Sequence, residues 1–232
     1  MRPSFSSHRS TFRSLLTLGA LAAGVAAAAA PTPALADAAA DPATPAAPAP
    51  APARDPQVSR LLDAKTTLKW NQNVGKERYG HAEALVNASA DVVANKAIDY
   101  GHYRDLHRKF ATARVIAKDA GNTDVYMRYP VKVGPMTFEL HEVMRFSPLR
   151  PNGGGFVLEG RGIQGDMKQG HTVITIKPVD DKHALLQVDI LLVPSIPAPQ
   201  SFIDEELRDG AQDFVNGLKD RSQGWVGPVT SL

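Results

Sequence analysis

The stretch PQSFIDEELRDGAQDFVNGLKDR, residues 199–221, predicts one long amphipathic helix near the C-terminus. Its apolar residues recur at steps of three and four, which places them on one stripe of a helix: Ile203, Leu207, Ala211, Phe214 and Leu218. Ser201 is the expected N-cap, with Asp204 at capping-box spacing, and Gly224 is the expected stop. At ~1.5 Å per residue the helix would be roughly 30 Å long. Such a stripe must be buried against another layer of the fold.

The segments before this helix alternate between apolar and polar residues and predict the partner layer, an antiparallel sheet. A first strand is predicted at 78–87, followed by a short helix that Ser89 caps and a second short helix at 102–110. Further strands are predicted at 113–118, 124–129, 136–146, 155–162, 171–177 and 183–193. Strands in succession and segregated helices indicate an α+β fold with about six or seven antiparallel strands.

This order and two local segments resemble the START-like or SRPBCC superfamily, which includes polyketide cyclase-like proteins and the coenzyme Q-binding protein family. NASADVV at 87–93 is similar to that family's strand-to-helix entry, and IDYGHY at 98–103 to the segment that follows. The helix at 199–221 looks like the gripping helix. The resemblance covers about 78–223 and implies a helix-grip fold, with the sheet wrapped around the C-terminal helix. It carries no catalytic signature, so no catalytic residue is assigned.

The N-terminal part of the chain predicts export. Residues 1–36 combine Arg2, Arg9 and Arg13, an apolar run and the cleavage-like Ala34-Leu35-Ala36, as in a secretory signal peptide. A membrane anchor is the alternative, although the apolar run is short for a span of ~20 residues. We therefore expect cleavage near Ala36 and a periplasmic or extracellular location.

Composition divides the rest of the chain and excludes several classes of function. We expect an Ala/Pro-rich linker at 37–56, an N-terminal extension at 57–76, the START-like domain at 77–224 and a tail at 225–232. The chain has no Cys, which excludes disulfides and thiolate sites. Without residues 1–36, acidic residues slightly outnumber basic ones, so we expect no nucleic-acid partner.

Strand alternation indicates which side chains face the helix, and the resemblance implies that some of them line a cavity for an apolar ligand. The predicted ligand-binding residues are Met127, Tyr129, Phe138, Leu140, Glu142, Met144, Phe156, Leu158, Ile190, Leu192, Leu207 and Phe214. The same pattern fits a filled core, and the sequence does not separate the two.

Glu142 is the one charged residue on an otherwise apolar strand face. A buried carboxylate is costly unless it is paired or hydrated, so Glu142 either orients a ligand or lies at a bulge or edge that exposes it to water. Tyr129 is the second candidate for orienting a ligand. Arg128, Arg145 and Arg161 fall on the opposite faces and should be solvated.

Other chemistry has little support. His102 and His107 are five residues apart, which does not bring two imidazoles of a helix to one metal, so both should be solvated and no metal site is expected. There is no G-x-S-x-G elbow and no phosphate loop, and no cofactor is expected.

Three hypotheses follow, with binding favoured over catalysis. The domain binds, carries or senses a hydrophobic small molecule or lipid, with transient membrane contact as a further option. Alternatively it is a polyketide cyclase- or dehydratase-like enzyme that uses Glu142, or a protein-interaction module with a filled core.

Overall fold

The computed structural model of the chain describes residues 56–64, 66–107 and 109–224, without the side chains of residues 63 and 64. The predicted signal peptide, nearly all of the predicted linker and the predicted tail lie outside these residues. None of the helices in the described ranges is long and apolar enough to cross a membrane.

The described residues form four helices, one 3-10 turn and nine strands. In chain order they are α1 (Pro56–Ala64), β1 (Leu68–Val74), β2 (Glu77–Val86), α2 (Ala90–Ala97), the 3-10 turn (Tyr100–His102), α3 (Tyr103–Leu106), β3 (Thr112–Asp119), β4 (Asn122–Val133), β5 (Met136–Phe146), β6 (Arg150–Asn152), β7 (Gly155–Gly165), β8 (Met167–Asp180), β9 (His183–Pro194) and α4 (Gln200–Ser222).

One antiparallel sheet contains all the strands, and α4 packs across one face of it. The strand order is β1-β2-β9-β8-β7-β5-β4-β3, with β6 paired to β7. Helix α4 lies against β1, β2 and β9, and α2 covers the sheet at β7, β8 and β9. The predicted α+β helix-grip architecture is therefore confirmed.

The sheet is larger than predicted because it also contains β1 and β6. Strand β1 pairs with β2 from Leu68↔Glu83 to Val74↔Glu77, so the sheet begins before the predicted domain start at 77. Its sequence, LKWNQNV, shows weak alternation because β1 is an edge strand with no fully buried face. Helix α1 also belongs to the packed structure, since Val58 and Leu61 are buried.

The predicted stripe of α4 is buried, but the helix begins differently from the prediction. Leu207, Ala211, Phe214 and Leu218 are buried, and Ile203 is partly buried against the core. The N-cap is Pro199, which makes no side-chain cap hydrogen bond. Ser201 is therefore wrong as the cap, because the helix has already begun when the chain reaches it. The predicted stop is in place, with Gly224 at φ 83°.

Helix and sheet approach so closely that β2 needs a glycine beneath α4. A Cβ at Gly80 would lie 2.6 Å from the backbone nitrogen of Arg208 and still closer to the Leu207 carbonyl. Such a distance leaves no room for any side chain. Gly80 therefore sets the height of the helix above this part of the sheet.

The predicted helix at 102–110 is reduced to a 3-10 turn and the single turn α3. Ser89 caps α2 as predicted and accepts a hydrogen bond from the Val92 backbone N–H at 3.4 Å. The buried Tyr103 hydroxyl donates to the Ala97 carbonyl at 2.6 Å. After Leu106 the chain becomes extended at His107 (φ −137°, ψ 119°) and turns toward α4.

Candidate functional site

A cavity lies between the sheet and α4, at the end of the helix that carries Phe202, Ile203 and Leu207. Its volume is about 120 Å³, several times the ~10–15 Å³ that one water needs on the same measure. Its walls come from β4, β5, β8 and β9, from α4 and the segment before it, and from residues 107, 109 and 110. At the opposite end of α4, Tyr103 packs edge-on against Phe214 and Phe146, which closes the cavity there with aromatic rings.

Glu142 is the charged residue on the sheet wall of the cavity, and its buried carboxyl lacks a partner at one oxygen. The residue is 1% exposed, and Oε1 accepts no hydrogen bond in the described structure. Burial raises the pKa of Glu142 from its ordinary value of 4.5 to about 7. The carboxyl can therefore be protonated or ionised near neutral pH, which is typical of groups that bind or react.

Two glycines on neighbouring strands make room for this carboxyl. A Cβ at Gly170 on β8 would lie 2.8 Å from Glu142 Cδ and closer still to Oε1, and a Cβ at Gly162 on β7 would also overlap Oε1. The carboxyl therefore rests against bare strand backbone. Any side chain at either glycine would move it.

Tyr129 is the second polar group on the sheet wall. Its hydroxyl is buried without a hydrogen-bond partner in the described structure. Burial, and secondarily the charge of Glu142, raise the pKa of Tyr129 well above its usual value, so the hydroxyl keeps its proton. Tyr129 pairs with Leu140 and Glu142 with Met127, which makes Tyr129 and Glu142 diagonal neighbours on one face of β4 and β5.

Charged and polar side chains lie where His107 and Lys109 meet α4. Lys109 Nζ forms an ion pair with Glu206 Oε2 at 2.7 Å. The His107 side chain is 11% exposed, its Nδ1 is 3.8 Å from Asp213 Oδ2, and its ring stacks on Phe110. Burial lowers the pKa of His107, which favours the uncharged imidazole. The predicted solvated His107 is therefore wrong, because the chain leaves the helix at this residue and turns inward.

Two further ion-pair contacts hold the N-terminal half of α4 to the sheet edge. Arg78 Nε is 2.7 Å from Asp204 Oδ2, and Lys69 Nζ is 2.6 Å from Asp209 Oδ1. The side-chain amide of Asn71 donates to the Asp204 carbonyl at 2.9 Å. This half of the helix is thus attached through polar groups at its flanks.

Solved structures of low sequence identity share this architecture. A STAR-related lipid transfer protein from Xanthomonas axonopodis matches with a TM-score of 0.58 at 14% identity, over 69% of this chain and 96% of its own. A START superfamily protein from Mycobacterium smegmatis matches with a TM-score of 0.52 at 17% identity, over 64% of this chain and 99% of its own. Human STARD10 matches with a TM-score of 0.53 at 10% identity, over 77% of this chain and 89% of its own. The chain has the START-like helix-grip fold. Family models and curated protein sequences gave no match.

The START-like domain brings most of the predicted ligand-binding residues to the cavity. Those that line it are Met127, Tyr129, Leu140, Glu142, Met144, Ile190, Leu192, Leu207 and Phe214. Alternation along β4, β5 and β9 identified them because each strand has one face toward the helix.

Three predicted residues, Phe138, Phe156 and Leu158, do not line the cavity. Leu158 is fully buried and Phe156 is half-buried, at the end of the sheet that α2 covers. Leu158 belongs to the hydrophobic core there, and Phe156 packs against that core. Phe138 is half-buried toward the tip of the β4–β5 hairpin, beyond Leu140.

The other cavity residues, on loops, on strands and on α4, are outside the predicted ligand-binding set. They are His107, Lys109, Phe110, Pro130, Val131, Val133, Met167, Thr172, Pro194, Ile196, Ala198, Phe202, Ile203, Glu206 and Gly210, together with Tyr103 and Phe146. Periodicity carries no signal in loops, whereas the α4 members follow the helical stripe and could have been found from it. Within the described ranges, no group of three or more His, Asp or Glu side chains could hold a metal ion.

Proposed function

We propose that the START-like domain binds a hydrophobic small molecule or lipid in the cavity between the sheet and α4, in order to carry or sense it. The observation that carries the proposal is the cavity itself, which is lined mainly by apolar side chains. Cavities with a few polar groups in an apolar wall are typical ligand sites. A connected cavity also removes the main support for an interaction module with a filled core.

The energetics favour an apolar occupant. Transfer of apolar surface from water stabilises by about 25 cal/mol per Å², so covering roughly 200 Å² of a ligand contributes roughly 5 kcal/mol. The name of the Xanthomonas protein includes lipid transfer, and the cavity position is consistent with a cargo of that kind here.

Native mass spectrometry of the full chain, purified without detergent, tests the proposal. We expect a stoichiometric apolar adduct that organic solvent extracts. Gly210→Met should abolish it, because Gly210 lines the cavity and its Cβ would point toward His107 Nε2 at 3.4 Å. Glu205→Met is the matched control on the exposed side of the same helix. The proposal would be contradicted if the wild-type chain carried no adduct and also failed to take up added lipid. It would also be contradicted if Gly210→Met and Glu205→Met carried equal amounts of adduct.

A second candidate function is catalysis of a cyclase- or dehydratase-like step by Glu142. The favouring observation is a carboxyl with a pKa of about 7 inside the cavity, suited to taking and returning a proton. Glu142→Gln should then abolish turnover of a polyketone substrate while binding persists. Equal turnover by both proteins would remove this candidate.

We also propose that the protein is exported, with support from Arg2, Arg9 and Arg13 ahead of the apolar run that ends at Ala36. N-terminal sequencing of the protein from its native cells tests this. A chain that starts near Asp37 is the expected result, and an intact Met1 in the cell interior would contradict it.

A further inference from the structure

The cavity wall contains two buried oxygens that the described residues leave without hydrogen bonds, the Tyr129 hydroxyl and Glu142 Oε1. Tyr129 is 8% exposed and Glu142 is 1% exposed. Buried polar atoms are nearly always paired, so two neighbouring exceptions on one face require an explanation. Both residues line the cavity, so a partner from outside the chain would reach them from there.

The position of Glu142 is enforced by the strands beneath it. The glycines at 162 and 170 leave space that the carboxyl occupies, while Met127 and Met144 flank it on the sheet face. The carboxyl is therefore held at the wall, and a ligand must come to it. The nearby Thr172 hydroxyl contacts the Met144 sulfur at 3.8 Å and does not reach the carboxyl.

We propose that the ligand is an uncharged, mostly apolar molecule with one hydroxyl group, which binds between the Tyr129 hydroxyl and the Glu142 carboxyl. The inference rests on the proposed function and specifies its ligand class. A hydroxyl both donates and accepts, so it can donate to the Glu142 carboxyl and accept from the Tyr129 O–H. The surrounding apolar wall covers the rest of the molecule.

The charges around the cavity disfavour an acidic ligand group at this position. Lys109 is the one Lys or Arg among the described lining residues, and it is already paired with Glu206. His107 is uncharged at neutral pH because burial lowers its pKa. A carboxylate or phosphate beside Glu142 would therefore lack a compensating cation, and it would meet a like charge wherever the Glu142 carboxyl is ionised.

Four matched probes test the inference on the full chain: 2-naphthol, 2-methoxynaphthalene, naphthalene and 2-naphthoate. Isothermal titration with wild type, Glu142→Leu and Tyr129→Phe gives the affinities. We expect wild type to bind 2-naphthol at least about fivefold more tightly than 2-methoxynaphthalene, and 2-naphthoate most weakly. In Glu142→Leu the preference should fall below about twofold, and naphthalene should bind more tightly than to wild type.

The outcomes separate this inference from the proposed function. If wild type binds naphthalene and 2-methoxynaphthalene as tightly as 2-naphthol, the cavity takes apolar ligands but the hydroxyl site is wrong. A preference that survives in both variants also overturns the hydroxyl site. If no probe binds wild type, the proposed function fails and the inference fails with it. If Glu142→Leu does not fold, Tyr129→Phe decides, because it removes one hydroxyl and nothing else.

Discussion

Replacing Glu142 with Gln should change how the stability of the protein depends on pH. The carboxyl is buried in the cavity wall, and burial raises its pKa from 4.5 to about 7. In the unfolded chain it loses its proton at ordinary pH values near 4.5, whereas in the folded protein it keeps the proton up to about 7. Between these values the folded state binds more protons, so the free energy of unfolding falls as pH rises.

The size of the effect follows from the pKa difference. Each pKa unit corresponds to ~1.4 kcal/mol, so the full effect is on the order of 3 kcal/mol. Roughly 2 to 3 kcal/mol of it should be lost between about pH 5 and about pH 8, and little thereafter. The uncharged amide of Glu142→Gln has no such loss. The variant should therefore gain stability relative to wild type as pH rises over this range.

Urea unfolding at several pH values measures the difference between the two proteins. Other titrating groups, including His107, are present in both and cancel in the difference. Glu139→Gln is the matched control, because Glu139 lies on the same strand with its side chain 57% exposed, and its curve should parallel that of wild type. A Glu142→Gln difference that stays constant within about 0.5 kcal/mol across the range would refute the reasoning. The carboxyl would then be hydrated in the folded protein.

Three further substitutions test the packing around the cavity, each by urea unfolding. Gly170→Ala should cost about 1–3 kcal/mol through overlap with Glu142. Much of the loss should disappear in combination with Glu142→Ala, and additive losses would contradict the close contact between Gly170 and the Glu142 carboxyl. Gly80→Ala should cost roughly 3 kcal/mol because the backbone of α4 cannot move aside. The control Gly101→Ala should change stability by under ~0.5 kcal/mol, because its Cβ would meet nothing closer than 4.0 Å. Equal losses in the two variants would refute the close approach of α4 to Gly80. Lys109→Ala should cost under ~1 kcal/mol, since its ion pair with Glu206 is exposed. A larger loss would show that this ion pair is shielded from solvent.

Strand alternation predicted the inward faces of β4, β5 and β9 because each strand has one side toward α4 and one side away from it. Val125, Met127 and Val188 are accordingly buried. The edge strand β1 was not predicted because neither of its faces is fully buried. Residues 107, 109 and 110 were expected on a helix, because residues outside helices and strands show no periodicity in the sequence.

The distinction between a cavity and a filled core could not be drawn from the sequence. Leu158 and Leu140 occur in similar alternating strands, yet one packs beneath α2 and the other faces open space. Whether a residue on the inner face of the sheet packs in the core or lines the cavity depends on which helix covers that part of the sheet. The burial of Glu142 was also undecided, because the glycines that make room for it lie on other strands.

The two halves of α4 are attached by forces that respond oppositely to salt. Phe214, Val215 and Leu218 bury the C-terminal half in apolar contacts, which excluded salts such as sulfate strengthen. The N-terminal half, above the cavity, also carries the partly exposed ion pairs Arg78–Asp204 and Lys109–Glu206, which dissolved ions screen over a Debye length of about 8 Å at physiological strength. We therefore expect added salt to weaken the attachment of this half of the helix more than that of the other half, and so to loosen the helix above the cavity.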